Sequence, residues 1–311
     1  VVSRASLRGY PDLRSFARRQ TLGYALAALA GCLLSTLGVL GKTAYALGAD
    51  PLSVVTLRAT IAGMILGIAL VTSKPSLFRL RSADLPLLAL YGFVGVALNY
   101  VGYFYALKFT TVATAITVLY TYPAMVVVLA FLVYREPIVR LKIIALLLCF
   151  LGVVLVASGP SSAGLTSDPR GPMFSMLAGG STAVYIVAGK RVLANYDART
   201  ALFYSFLFGS IALNVLRYVE QGPRLNTSME IMIVIVAIAV VPTLLGYGVL
   251  TYSLRLIEAG RAAITSSIEP AISIYLAYLF LHETPNLVQL TGSVVVISGA
   301  LLIGFSQRSN K

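Results

Sequence analysis

The sequence predicts an all-α membrane protein of ten transmembrane helices, arranged as two inverted five-helix repeats with both termini in the cytoplasm. Three observations support this fold class. They are the apolar composition, an internal repeat of about 150 residues, and the uneven distribution of basic residues among the predicted loops.

The composition places the chain in a lipid bilayer. Its mean hydropathy is +0.88, 58% of its residues are hydrophobic and only 11% are charged. Uncharged runs such as 109–134 and 231–254 exceed the roughly 20 residues that a helix needs to cross the hydrocarbon core. Backbone groups in lipid must be hydrogen-bonded within their own segment, so such runs predict helices. The ten predicted spans are 22–47, 51–73, 84–107, 110–134, 139–157, 172–193, 199–217, 229–252, 258–281 and 286–306.

The second half of the chain repeats the first. Residues 105–152 align with 252–299 at a constant offset of 147 residues, with ten identities in 48 positions. The identities include Pro123 with Pro270, Glu136 with Glu283, and Gly152 with Gly299. A unit of this length predicts a duplicated half-protein rather than a solenoid. Each half holds five spans, an odd number, so the second half enters the membrane from the opposite side.

This duplication predicts the organisation of the whole chain. The predicted segments are a basic cytoplasmic tail (1–20), the first five-helix repeat (21–158), a connecting loop (159–171), the second five-helix repeat (172–306) and a cytoplasmic C-terminus (307–311). No separate soluble domain is expected.

The basic residues indicate the orientation. With the N-terminus inside, 18 lysines and arginines fall on the inner side and four on the outer side. Basic residues concentrate in cytoplasmic loops, so both termini are predicted to be cytoplasmic and the protein to be a multi-pass protein of the cytoplasmic (inner) membrane. The net charge of +13 is then explained by topology and by contact with anionic lipid, and nucleic acid is not an expected partner.

Glu269 is the strongest candidate for a functional residue, because ionisable groups within the membrane are costly to keep there. It lies about midway along the ninth predicted span, and Pro270 follows it. Proline cannot donate a backbone hydrogen bond and loosens the helix at this point. Thr265, Glu269 and Ser273 share one helix face by their spacing. A carboxylate here suits a cation, a proton or a substrate ammonium group; packing alone is the alternative.

Tyr122 is the repeat partner of Glu269, and Pro123 follows it. Each half is therefore expected to bring a proline-disrupted helix to the middle of the membrane, where inverted-repeat transporters place their substrate site. The same span carries a stripe of threonines at helical spacing, which either lines this site or bonds to neighbouring helices. The stripe consists of Thr110, Thr114, Thr117 and Thr121.

Other polar residues complete the predicted site. The expected substrate-binding residues are Glu269, Asn99, Tyr103, Thr117, Tyr122, Tyr185 and Tyr247, and the expected gating or structural residues are Arg58, Pro123 and Pro270. Arg58, roughly 10 Å inside the second span, is expected to extend toward the surface or to pair with a carboxylate. Lys42 is expected to be an interfacial anchor. Glu136 and Glu283 are expected to cap the helices that follow them.

No cofactor or metal site is predicted. Cys32 and Cys149 both lie within predicted spans, so they form neither a disulfide framework nor a metal-ligand pattern.

Several short motifs carry a family resemblance. They are Leu57-Arg58, the run from Tyr103 to Lys108, Pro123-Ala124, Arg135-Glu136 and Gly152-Val153 in the first half, and Glu269-Pro270-Ala271, His282-Glu283 and Gly299 in the second. The chain resembles an EamA-type member of the drug/metabolite transporter superfamily over nearly all of 21–306. This resemblance implies ten helices and a central cavity lined by spans 1, 3, 4, 6, 8 and 9. The chain differs at Arg135 and His282, where the family often has glycine.

The sequence therefore predicts a secondary transporter that moves small metabolites across the membrane by alternating access. Amino acids, similar amphipathic solutes and drugs are the expected substrates, and a proton or cation is a candidate coupling partner; the oligomeric state stays open. A passive channel is one alternative, but Glu269 opposite Tyr122 does not form the expected ring of repeated polar residues. A membrane-embedded enzyme is another, but one histidine and two separated cysteines supply neither a nucleophile with its base nor metal ligands.

Overall fold

The protein is helical throughout the part of the chain that the computed structural model describes. These residues are 13–73, 78, 80–135, 140–158, 168–223, 227–253, 256–257, 265–266 and 268–306. Among them, seven helical segments are long and apolar enough to cross a membrane, and three shorter apolar helices accompany them. The shorter helices are Ile143–Leu155, Glu269–Leu281 and Leu287–Gly299. The predicted class of an all-α membrane protein is confirmed.

The first half contains helices α1 (Leu13–Ala46), α2 (Pro51–Ser73), α3 (Leu85–Gly92), α4 (Asn99–Phe109), α5 (Val112–Leu119), α6 (Tyr122–Tyr134) and α7 (Arg140–Ser158). A π-helical segment, Phe93–Leu98, joins α3 to α4. Helix α1 begins earlier than the predicted first span, because hydropathy marks only the apolar part of a helix.

The second half contains α8 (Arg170–Asn195), α9 (Ala198–Gln221), α10 (Met229–Ile238), α11 (Tyr247–Ser253), α12 (Glu269–Leu281) and α13 (Leu287–Ser306). A second π-helical segment, Ala239–Gly246, joins α10 to α11 and contains Pro242. Most of the predicted ninth span before α12 lies outside the described residues, as does the Glu136 turn.

The two halves share irregular features at equivalent positions. Adding the offset of 147 residues to the first π-helical segment gives 240–245, which lies within the second segment. The same offset maps both ends of α6 onto both ends of α12, and each helix has proline in its first turn. The duplication seen in the sequence is therefore also present in the backbone.

The helix ends after α6 and α12 are equivalent too. Arg135 and His282 follow these helices, and both have a φ of 54°. This left-handed conformation is the usual end of a helix and favours glycine, which has no Cβ. The turns thus adopt the geometry that glycine would suit, although arginine and histidine occupy the positions.

Helices α7 and α13, the last of each half, pack against each other through reciprocal contacts. A methyl group added to Gly152 would lie 2.7 Å from the carbonyl oxygen of Gly292, and one added to Gly299 would lie 2.9 Å from that of Ala145. The offset relates Gly152 to Gly299 and Ala145 to Gly292, so each helix makes the same contact with the other. Residues late in one helix face residues early in the other, which is an antiparallel arrangement.

The first helix of each half packs against the other half. Helix α1 contacts α10, the second π-helical segment, α11 and α12. Helix α8 contacts the first π-helical segment, α4, α5 and α6. The first helix of each half thus lies against the interrupted helices of the other half.

Candidate functional site

The candidate site lies where interrupted helices of the two halves meet. The hydroxyl of Tyr120 donates a hydrogen bond of 2.8 Å to Oε2 of Glu269. Tyr120 follows the last residue of α5, and Glu269 is the first residue of α12. A phenol from the first half and a carboxylate from the second are thereby joined at two helix ends.

The contact partner of Glu269 differs from the residue that the repeat suggested. Tyr122 is the sequence equivalent of Glu269, but Tyr120 makes the hydrogen bond. Tyr122 packs edge-on against Tyr120 with ring centroids 5.6 Å apart. The alignment pairs equivalent positions, and equivalent positions need not touch. The interruption between α5 and α6 decides which tyrosine reaches the carboxylate.

The prolines begin helices rather than bend them. Pro123 and Pro270 each lie in the first turn of a helix, where a missing N–H leaves no hydrogen bond unmade. Glu269 also lies in a first turn, where the helix dipole favours a negative charge. Because α5 ends before Tyr120, the predicted threonine stripe does not run along one continuous helix. Thr110 precedes α5, and Thr121 follows it.

Three further tyrosines interact electrostatically with the carboxylate. Tyr103 and Tyr247 each lie within electrostatic range of both Glu269 and Arg58, and Tyr122 lies within range of Glu269. Tyr247 is 37% exposed.

Tyr185 is held by close packing. Its ring stacks on that of Tyr91, with centroids 4.1 Å apart and an interplanar angle of 15°. Gly95, in the first π-helical segment, permits this position, because a methyl group there would lie 2.0 Å from Cδ2 of Tyr185. Tyr185 also lies within electrostatic range of Tyr247. The structure therefore brings four of the predicted tyrosines toward Glu269 or toward one another.

Asn99 and Thr117 have partners elsewhere in the bundle. The amide nitrogen of Asn99 donates to the carbonyl oxygen of Ala178 at 3.0 Å and to Oγ1 of Thr182 at 2.7 Å, which ties α4 to α8. Thr117 is 1% exposed and lies 2.8 Å from the hydroxyl of Ser293, which ties α5 to α13. Both side chains hold helices together in this conformation.

Arg58 is enclosed in the bundle, which differs from the expected extension toward the surface. It is 1% exposed, so it does not extend toward the surface. Its Nε donates to Oγ1 of Thr243 at 2.8 Å, and its guanidinium carbon lies 3.9 Å from the ring centroid of Tyr100. No described carboxylate forms an ion pair with it. The side chain does not extend toward the surface because α2 packs against α4 and the second π-helical segment, which enclose it.

Lys42 and Glu283 form an unexpected junction. Nζ of Lys42 lies 3.4 Å from Oε1 of Glu283, so Lys42 is an ion-pair partner rather than a free anchor. Oε2 of Glu283 accepts a hydrogen bond of 2.8 Å from the backbone N–H of Val112, at the start of α5. Glu283 therefore caps a helix of the other half and not the one that follows it. Sequence spacing gave no signal of this contact.

These features define a class of protein. A duplicated bundle with an acidic residue between interrupted helices is typical of membrane transporters built from inverted repeats. The sequence profile of the EamA-like transporter family matches residues 21–158 and 169–305, which cover most of both halves. The chain belongs to the EamA-like transporter family, within the drug/metabolite transporter superfamily.

Relatives from bacteria and archaea have similar lengths. An uncharacterized transporter of Clostridium kluyveri is 26% identical, over 90% of this chain and 92% of the relative. An uncharacterized transporter of Archaeoglobus fulgidus is 28% identical, over 90% of this chain and 95% of the relative. A probable amino-acid metabolite efflux pump of Salmonella typhimurium is 25% identical, over 77% of this chain and 84% of the relative.

A solved structure has a similar fold. One crystal structure superposes with a TM-score of 0.64 and 19% identity, covering 95% of this chain and 99% of the other. This likeness supports the fold of the whole chain.

Proposed function

We propose that the protein is a secondary carrier that moves amino acids or similar amphipathic solutes across the cytoplasmic membrane by alternating access. The observation that carries this proposal is the hydrogen bond from Tyr120 to Glu269, which joins interrupted helices of the two halves. Movement of one half relative to the other would change the surroundings of the carboxylate. The similarity to a probable amino-acid metabolite efflux pump supports the substrate class.

The proposed topology has ten spans with both termini in the cytoplasm. The seven long helical segments and three shorter apolar helices are compatible with ten spans. The excess of basic residues in the loops assigned to the inner face supports the orientation. The antiparallel packing of α7 and α13 supports an inverted relation between the halves.

In this proposal Glu269 binds the ammonium group of the substrate or a coupling proton or cation. Tyr103, Tyr122, Tyr185 and Tyr247 form the walls, and their rings suit the apolar part of an amphipathic solute. Pro123 and Pro270 begin the helices that follow the interruptions, so the backbone can change direction there. Asn99 and Thr117 hold neighbouring helices in place.

Counterflow into proteoliposomes tests the carrier function. The purified protein is reconstituted with an unlabelled amino acid inside, and entry of the same labelled amino acid is measured. A carrier exchanges the unlabelled amino acid inside for the labelled one outside, so preloading should accelerate uptake of the label. Uptake that is independent of preloading would indicate a passive channel and contradict the carrier. Recovery of a chemically changed solute would indicate an enzyme.

Substitution of Glu269 tests the site. Glu269→Gln keeps the shape of the side chain and removes its charge, so exchange should fall at least about tenfold, the effect of losing one buried charged hydrogen bond. Glu230→Gln, the same change at an exposed position in the first turn of α10, is the matched control. Equal rates, affinities and pH profiles in wild type and Glu269→Gln would remove Glu269 from the mechanism.

A further inference from the structure

Arg58 is the largest fully buried side chain among the described residues. It is 1% exposed and lies within α2. Its hydrogen bond to Thr243 uses Nε alone. Within the described part of the chain, no carboxylate oxygen lies within 4.0 Å of its guanidinium nitrogens. A positive charge is therefore enclosed without an anionic partner in that part.

Such a charge is costly unless something compensates it. Charged groups inside a membrane protein are normally paired, and transfer of an unpaired charge out of water carries a large penalty. The faces of Tyr100 and Phe104, with centroids 3.9 and 5.5 Å from the guanidinium carbon, give partial compensation. The N–H groups on the two terminal nitrogens retain the planar geometry that binds a carboxylate through two parallel hydrogen bonds.

The position of Arg58 relates it to the candidate site. Its contact residues Tyr100 and Thr243 lie about one helical turn before Tyr103 and Tyr247, two of the predicted wall residues. The guanidinium thus lies beside the helices that carry these wall residues, and Glu269 contacts Tyr120, whose ring packs on the wall residue Tyr122. A molecule that carries both an ammonium group and a carboxylate would match this pair of charges.

We infer that Arg58 binds the carboxylate of the substrate, while Glu269 binds its ammonium group. The site then selects amino acids over amines and over simple carboxylic acids. Thr243 and Tyr100 hold the guanidinium in place until the substrate arrives. In this conformation Tyr100 covers the guanidinium, so binding requires the ring to move aside as the two halves shift. This inference rests on the proposed function.

Phenylalanine and two analogues, each of which lacks one of its two charged groups, test the assignment. L-Phenylalanine carries both groups, 2-phenylethylamine lacks the carboxylate, and 3-phenylpropanoate lacks the ammonium group. Binding to the purified full-length protein is measured by calorimetric titration. Wild type should bind phenylalanine about 10-fold to 100-fold more tightly than either analogue, as expected for one buried charged contact.

Each substitution at Arg58 or Glu269 should remove the preference for the one charged group that the residue is proposed to bind. Arg58→Gln should bind phenylalanine and 2-phenylethylamine with equal affinity, while it still prefers phenylalanine to 3-phenylpropanoate. Glu269→Gln should bind phenylalanine and 3-phenylpropanoate with equal affinity, while it still prefers phenylalanine to 2-phenylethylamine. Arg217→Gln removes another buried arginine, in the neighbouring helix α9, and should keep both preferences. If Arg58→Gln does not fold, Arg58→Lys replaces it and should show a reduced preference.

The outcomes separate the two proposals. If the preference for phenylalanine over 2-phenylethylamine is unchanged in the Arg58 variant, the carboxylate contact is wrong and the carrier proposal stands. Equal weakening of both ligands would likewise make Arg58 a structural residue only. If wild type binds none of the three probes and exchanges no amino acid, the proposed function itself is wrong.

Discussion

At the scale of single residues, an ion pair between Lys42 and Glu283 joins the two halves of the protein. Glu283 follows α12 of the second half, yet it accepts a hydrogen bond from the first turn of α5 and pairs with Lys42 of α1. Glu283 is 7% exposed. One carboxylate thus connects three helices at one end of the bundle.

Substitution of Glu283 tests this junction. Glu283→Gln keeps an oxygen that accepts from Val112 but leaves Lys42 without its counter-charge. We expect a loss of about 2 kcal/mol of stability, because a largely buried charge then lacks its partner. The measurement is the thermal unfolding midpoint of the protein in detergent, which should fall by several degrees.

The controls for this substitution are an exposed carboxylate and a double variant. Glu220→Gln, on the exposed end of α9, should leave the midpoint unchanged. Lys42→Met combined with Glu283→Gln should recover part of the loss, since neither charge is then unpaired. A midpoint for Glu283→Gln equal to that of Glu220→Gln would show that the ion pair contributes nothing.

The sequence identified some of these residues and missed others for physical reasons. Glu269 stood out because a carboxylate in an apolar run is costly, and that argument needs no knowledge of neighbours. Tyr120 was missed because it lies among many tyrosines, and only the interruption after α5 directs it toward Glu269. The junction of Lys42 with Glu283 depends on contacts between distant segments, which spacing does not encode.

At the scale of the helix, the elements of the candidate site include the segments that depart from regular α-helix. The two π-helical segments overlap under the repeat offset, and helices α6 and α12, each with proline in its first turn, occur at equivalent positions. In the sequence, Pro123 and Pro270 indicated where the helical spans are interrupted before α6 and α12. The π-helical segments gave a weaker signal, because Phe93–Leu98 contains glycine but no proline. Extra residues in a helical turn change which side chains face the centre, and this packing effect is not visible in hydropathy.

Gly95 allows a test of one π-helical segment. Gly95→Ala places a methyl group where the Tyr185 ring lies, so the ring must leave its stack on Tyr91. We expect amino-acid exchange to fall about fivefold to thirtyfold, because loss of one wall of the site costs on the order of 1–2 kcal/mol in binding. Proteoliposome counterflow measures the effect.

Gly248→Ala is the matched control for Gly95→Ala. It lies in α11, and a methyl group there would have no heavy atom within 4 Å. Its exchange rate should equal that of wild type. A Gly95→Ala protein with normal exchange would show that Tyr185 is not fixed by this contact or does not form part of the wall.

At the scale of the whole molecule, the inverted arrangement makes a prediction about topology. Arg135 and His282 end equivalent helices, so inverted halves place them on opposite faces of the membrane. Arg135→Cys and His282→Cys are made separately in a background with Cys32→Ser and Cys149→Ala. A membrane-impermeant thiol reagent applied to intact cells should label the His282 position and should label the Arg135 position only after the membrane is opened.

The unsubstituted background protein is the control and should not react. Labelling of both positions from the same side would contradict the inverted arrangement, and the carrier proposal would then lose its structural basis.

The contact between α7 and α13 has a consequence for the origin of the molecule. Gly152 contacts α13 in the same way as Gly299 contacts α7. The surface formed by these two helices is therefore complementary to itself. A single ancestral half, inserted into the membrane in both directions, could have paired with a second copy through this surface before any gene fusion. Fusion would then have freed each copy to change independently, and the equivalent positions now hold an acid in one half and a phenol in the other.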